Sequence, residues 1–231
     1  MEKVNKQITG KGPLVILLHG WGQNMQMMQP IQDQLQDRFT VLNVDLPGFG
    51  NSEEPNTAWS CDDYAKWIYN IAQEIQKEPV ILIAHSFGAR IAFRYALRYP
   101  VKQMVLTGAA GIRKKRNLVY YAKVYGYKLL KKLHFSVQAG SRDYRQASPR
   151  MREIMVKAVN DDITKELPNI DVETLLVWGE EDEETPLYMG KMMEEKMPNA
   201  TLIVLEKDDH FAYFHQSNRF VNILKYFFKE D

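Results

Sequence analysis

Ala84-His85-Ser86-Phe87-Gly88 sets one serine midway between two small residues. The apolar run Ile81-Leu82-Ile83 comes just before it and helix-forming residues follow, so the serine falls where a strand turns directly into a helix. Such a turn strains the serine backbone and lifts its hydroxyl clear of the sheet. Strand and helix nearly touch there, so only small flanking side chains fit; alanine stands at 84 where glycine is usual, and the steric logic holds. The chemistry open to this serine is nucleophilic attack on a carbonyl. That requires a base, a carboxylate to orient the base, and donors for the developing oxyanion.

The base must be one of five histidines. His19 and His85 lie within backbone motifs, His134 in a helical stretch, and His215 in the final helix-forming stretch. His210, in Asp208-Asp209-His210-Phe211, follows the apolar run Thr201 to Leu205 in a loop that returns a side chain to the carboxyl edge of a sheet. The acid should follow the strand Thr174 to Trp178, where the chain reads Glu180-Glu181-Asp182-Glu183-Glu184. Asp182 is the best placed, with Pro186 four residues on opening a helix; the bland alternative is a solvated acidic loop. The earlier turn Gly108-Ala109-Ala110-Gly111 offers no acid. For the oxyanion, one N–H should come from Phe87, at a helix start where the dipole helps. The other should come from Trp21 in His19-Gly20-Trp21-Gly22, whose glycines let the backbone bend inward. His19 then serves as a loop brace.

These residues need a scaffold that brings strand ends together. Pro13 to Leu18 is continuously apolar, as is expected of a strand covered on both faces. Val4 to Ile8 alternates and suggests an antiparallel edge strand. Helices are expected over Met25 to Leu35, from a Ser60 cap to Ile75, and from Phe87 to Tyr99 before Pro100; further ones are expected near Pro186 to Lys196 and from Asn218 to Phe228. Strands are expected over Phe39 to Val44, Val80 to Ala84 and Gln103 to Thr107, besides the four named above. Alternating strands and helices predict an α/β fold: a mostly parallel sheet with helices on both faces. Regular alternation lapses over residues 108–171, where the patterns are helical. The expected division is a core of residues 1–107 and 172–231, with 108–171 inserted after the fourth long strand as a helical lid over the carboxyl edge.

Composition narrows the field. A chain of 231 residues with 45% hydrophobic and 26% charged residues suits a single globular domain. A net charge of +1 gives no argument for nucleic acid. No apolar run reaches the length of a membrane span, and the polar N-terminus does not resemble a signal peptide. The single Cys61 cannot form an internal disulfide, in keeping with a reducing, cytoplasmic setting; beside Asp62 and Asp63 it is a structural residue and not a nucleophile.

Jointly, His19-Gly20-Trp21-Gly22, the turn Asp45-Leu46-Pro47-Gly48-Phe49-Gly50-Asn51-Ser52, the serine motif, Trp178-Gly179-Glu180-Glu181-Asp182 and Asp209-His210-Phe211 resemble the α/β-hydrolase fold over nearly the whole chain. The order serine, acid, histidine is the order of that superfamily. The resemblance implies a lidded serine esterase of the carboxylesterase or carrier-linked methyl esterase group, with Ser86, Asp182 and His210 catalytic and Trp21 and Phe87 forming the oxyanion hole. It assigns Asp45 a structural place and implies neither metal nor organic cofactor. Asp208-Asp209 departs from the glycine-rich approach to the histidine common in relatives.

The substrate stays open among a small or medium acyl ester, a carrier-linked or anionic ester, and a C–C bond cleaved by serine chemistry. A non-enzymatic ligand-binding module is the alternative from another class. From Arg113 to Arg142, both included, stand nine Lys/Arg and no acid, interleaved with aromatic and leucine residues. One reading is a basic lid that attracts an anionic substrate or an acidic carrier protein. The other is a solvated helix face whose apolar stripe packs on the sheet edge. In either case Tyr120, Tyr121 and Tyr125 are the expected substrate contacts.

Overall fold

The computed structural model describes residues 3–113 and 142–228. One sheet is built from β1 (Lys6–Thr9), β2 (Leu14–Leu18), β3 (Thr40–Val44), β4 (Val80–His85), β5 (Val101–Thr107), β6 (Glu173–Gly179) and β7 (Ala200–Leu205). Their spatial order is β1-β3-β2-β4-β5-β6-β7, with β1 antiparallel to β3 and every other pair parallel. Every side chain of β2 is buried, because alternate residues enter opposite cores. Leu14, Ile16 and Leu18 join one apolar cluster, and Val15 and Leu17 join the other. That is why the strand reads as an unbroken apolar run.

The helices are α1 (Gln29–Leu35), α2 (Cys61–Ile75), α3 (Phe87–Ala96), α4 (Arg142–Gln146), α5 (Pro149–Asn160), α6 (Tyr188–Lys196), α7 (Ala212–His215) and α8 (Ser217–Phe227). Residues from α2, α3 and α6 cover one face of the sheet, and residues from α1 and α8 the other. Ser60 caps α2 through a reciprocal box: Asp63 N–H donates to Ser60 Oγ, and Ser60 N–H donates to the Asp63 carboxylate. The segment expected as one helix from Met25 opens as a 3₁₀ turn (Met25–Met28) and becomes α-helical at Gln29, with Pro30 in the first turn where its missing N–H costs nothing. Helix α3 ends at Ala96 and not at Tyr99, because Pro100 disfavours helical geometry in the residue before it.

The order of the strands reverses between β2 and β4, the place where parallel α/β sheets open a crevice at their carboxyl ends. The described parts of 108–171 contain α4, α5, a 3₁₀ turn (Leu167–Asn169) and no strand. The chain leaving α5 is clamped to α3. Arg94 donates to the Asp161 carboxylate through Nε and Nη2 and lies 3.4 Å from Glu166, while Arg90 donates to the Asp161 carbonyl. Burial works to raise the Asp161 carboxyl, but the Arg94 hydrogen bonds and charge outweigh it and hold the group below the usual carboxylate range. Cys61 lies buried beside this pair; burial first, and then the Asp161 charge, push its thiol far above the ordinary range, so the thiolate is suppressed as expected.

Arg94→Met should lower unfolding stability by about 1.5–3 kcal/mol at neutral pH, the range for hydrogen bonds to charged groups, as read from urea midpoints. The folded-state pKa of Asp161 is depressed, so its stabilisation is complete above the unfolded value of about 3.9 and is lost as pH falls through the lower folded value. The gap between Arg94→Met and the unaltered chain should therefore narrow on acidification.

Candidate active site

Strand β4 runs straight into α3, and the residue at the junction carries the strain. Ser86 has φ 50° and ψ −109°, outside the usual regions for a side-chain-bearing residue. Three backbone bonds hold it: Ser86 N–H donates to Thr107 O at 3.1 Å, and Ser86 O accepts from Ala89 N–H at 3.0 Å and from Ala110 N–H at 3.2 Å. A Cβ on Gly88 would collide with the Leu18 carbonyl, so a small residue is obligatory at that position. Ala84, on the other side of the turn, is fully buried in the strand.

His210 lies buried across Gly108, and its Nδ1–H donates to Asp182 Oδ2 at 2.8 Å. Nε2 keeps its lone pair for a proton. Asp182 is the one buried member of the five-acid run; Glu180, Glu181, Glu183 and Glu184 are exposed. Its Oδ1 accepts the N–H groups of Glu184 (2.9 Å) and Thr185 (2.8 Å), and Oδ2 also accepts the Thr185 hydroxyl at 2.8 Å. Burial pushes the Asp182 carboxyl up, but the bond to His210 and these donors outweigh it and hold the group below the usual range. Ser86 and His210 share neighbours: the ring of His85 sits 4.6 Å from that of His210, and the turn that bonds Ser86 also carries Gly108. No hydrogen bond joins Ser86 Oγ to His210 Nε2 among the described residues. Bonds of this kind often tighten only when substrate binds.

Trp21 and Phe87 belong to one aromatic cluster. Their rings stand edge to face at 5.2 Å, with Phe49 4.9 Å from Trp21 and Tyr64 5.5 Å from Phe87. Among the described residues neither backbone N–H has a protein acceptor, which is what an oxyanion site needs. His19 braces the loop as expected: Nδ1–H donates to Gly20 O at 2.8 Å and Nε2 accepts from Leu46 N–H at 3.0 Å. Burial lowers its pKa to about 4, so it stays neutral. Asp45 is likewise structural, accepting from Met25 N–H, Asn51 N–H and the Asn5 amide. Tyr120, Tyr121, Tyr125 and His134 lie outside the described residues.

Three contributors escaped the sequence reading, and a fourth, Glu184, belongs to the glutamates that the sequence left open as either solvent-facing or acting on His210. Thr185 supplies two donors to Asp182, Glu184 reaches the far side of His210, and His85 packs against it. Gly108 is the last: at φ +50 a Cβ there would lie 2.9 Å from His210 Nδ1. Only the small-residue run 108–111 hinted at so close an approach. The departure at Asp208-Asp209 also has a structural use. The Asp208 carboxylate bonds His215 Nδ1 and the Gln216 amide, and Asp209 Oδ1 accepts Phe211 N–H, so the two acids shape the His210 loop. His215 is thereby an outer brace.

A family model described as alpha/beta hydrolase fold matches residues 13–123, and one described as TAP-like protein matches residues 149–230. The chain belongs to the α/β-hydrolase fold family. This hydrolase is 26% identical to the pimeloyl-[acyl-carrier protein] methyl ester esterase of Aeromonas hydrophila, across 94% of its own length and 96% of the relative's. Its structure is similar to that of an esterase from Exiguobacterium antarcticum, with a TM-score of 0.78 at 24% identity over 98% and 95% of the two chains. It is also similar to the meta-cleavage product hydrolase of Pseudomonas fluorescens IP01, with a TM-score of 0.76 at 25% identity over 98% and 94%. Among the described residues of the hydrolase, no helix is long and apolar enough to cross a membrane.

Gly108→Ala should leave a folded hydrolase with displaced His210. Turnover should fall about 100-fold, the scale of a 1 Å misplacement, while a melting curve still shows one cooperative transition.

Proposed function

We propose that this protein is a serine esterase acting on small or medium acyl esters through Ser86, His210 and Asp182. The observation that carries the reading is the buried 2.8 Å His210–Asp182 pair at the sheet edge that also bears the strained Ser86. Ser86 Oγ attacks the ester carbonyl carbon as its proton passes to His210 Nε2. The negative oxygen of the tetrahedral intermediate accepts the Trp21 and Phe87 N–H groups. The bond to the alcohol oxygen then breaks, and that oxygen takes the proton from Nε2. Water attacks the acyl-enzyme and yields a proton to Nε2, which returns it to Ser86 as the acid leaves. Asp182 holds the imidazole orientation and stabilises its charged form without itself taking a proton. No step calls for a metal or an organic cofactor.

The segment expected as a lid lies partly outside the described residues; its described parts, 108–113 and 142–171, are best understood as capping this edge. The described part supports that, since Met151 of α5 abuts Gly48 and Ser148 Oγ donates to Glu54 at 2.8 Å beside the Trp21 loop. The carrier-linked or anionic substrate has support from the Aeromonas relative's name and from the basic sequence 113–142, which is almost wholly outside the described residues. C–C hydrolysis is the second reading, favoured by similarity to the meta-cleavage product hydrolase. A pure binding module has no use for an assembled acid–histidine pair.

A fluorophosphonate probe should label the unaltered protein and not Ser86→Ala; equal labelling would remove Ser86 as nucleophile. Asp182→Asn should retain the fold and lose about 10⁴ in kcat on p-nitrophenyl butyrate. Faster turnover of a dienol carboxylate C–C substrate than of any ester would replace the first reading with the second.

A further inference from the structure

Asp182 and Glu184 contact opposite nitrogens of one imidazole. Asp182 takes Nδ1–H, while Glu184 Oε2 lies 3.7 Å from Nε2, the atom assigned to proton transfer. The position of Glu184 is fixed by the acid itself, since its N–H donates to Asp182 Oδ1, yet its side chain points outward and is 69% exposed. A leaving-group oxygen must come within about 3 Å of Nε2 to receive its proton. The portion of the alcohol next to that oxygen therefore sits beside the Glu184 carboxylate.

We propose that Glu184 selects the alcohol side of the substrate, favouring an ester whose alcohol carries a positive charge a short spacer from the ester oxygen, in the manner of an amino alcohol or choline. The proposal rests on the serine esterase reading above. Coulomb attraction at this range favours a cation and penalises an anion, and the exposed setting keeps the effect moderate. Among the described residues the surroundings agree in sign. Glu181 and Glu183 are exposed on the same loop. On the Trp21 side, a cleft of about 320 Å³ runs between the loop and residues 143–151; among its described lining residues the charged groups are Glu54 and Asp143. A cation two carbons from the leaving oxygen would displace nothing in the Asp182–His210 pair.

The test compares kcat/KM for butyrylcholine with that for its uncharged isostere 3,3-dimethylbutyl butyrate. The unaltered protein should favour the cationic ester about fivefold, the upper end for a solvent-exposed ion pair. Glu184→Gln should bring the ratio to about one, Glu184→Lys should invert it, and the preference should shrink at high ionic strength. Fluorophosphonate labelling of Ser86 checks that each variant retains an assembled site. A ratio unchanged in Glu184→Gln, or both esters slowed by one common factor, would overturn the selection. Failure to cleave either ester while Ser86 still labels would also overturn it; loss of Ser86 labelling in the unaltered protein would instead overturn the esterase reading beneath it.

Discussion

The close approach of β4 and α3 to the β2 carboxyl end is the constraint on which the rest depends. Gly88 lies against the Leu18 carbonyl with no room for a side chain, and Ser86 must turn the chain in a conformation that costs on the order of 1–3 kcal/mol. That strain persists because both sides of the turn are buried. Residues of β4 and most of α3 lie in the apolar cores, so the turn cannot relax without pulling apart the packing on either face of the sheet. The same approach puts the Phe87 N–H at a helix start beside the Trp21 loop, at the point where the strand order reverses.

The other half of the site depends on backbone crowding of the same kind. Gly108 lets the His210 ring lie against β5, and Gly179 lets the Asp208-Asp209 turn cross the end of β6. Trp178, wholly buried, donates its indole N–H to Thr185 O at 2.6 Å and so anchors the loop that supplies donors to Asp182. The acid is thus saturated by four donors before any substrate arrives. His85 and His19, buried and kept neutral by that burial, pack around the site without adding charge. Preorganised polar groups of this kind are what lowers the cost of developing charge during reaction.

Charge around the site is divided by burial. Asp182 is buried and fully committed to its donors, while the glutamates beside it are exposed and keep their field directed at solvent and at whatever enters. The Asp208 carboxylate is neither catalytic nor idle; by tying His215 and Gln216 it turns an acidic approach into a shaped one. An acidic run that looks uniform in sequence therefore divides into one buried acid and four exposed ones, while the acids at 208 and 209 shape a separate loop.

By itself the sequence determined the α/β class, the strands near 14–18, 40–44, 80–85, 101–107, 173–179 and 200–205, and the strand-to-helix turn at Ser86. These were legible because buried parallel strands are apolar throughout, and because an elbow between two small residues has a steric cause local to five positions. Helix ends at Ala96 and Gln29 shifted by a few residues, since terminal turns answer to proline geometry and 3₁₀ tightening more than to apolar periodicity. Only the tertiary structure decided which of five consecutive acids is buried, which glycine yields to His210, and that Glu184 reaches Nε2. Those outcomes depend on where separate strand ends meet, between residues as far apart in sequence as Asp182 and Glu184 are from His210, and no local pattern encodes the meeting of two distant loops.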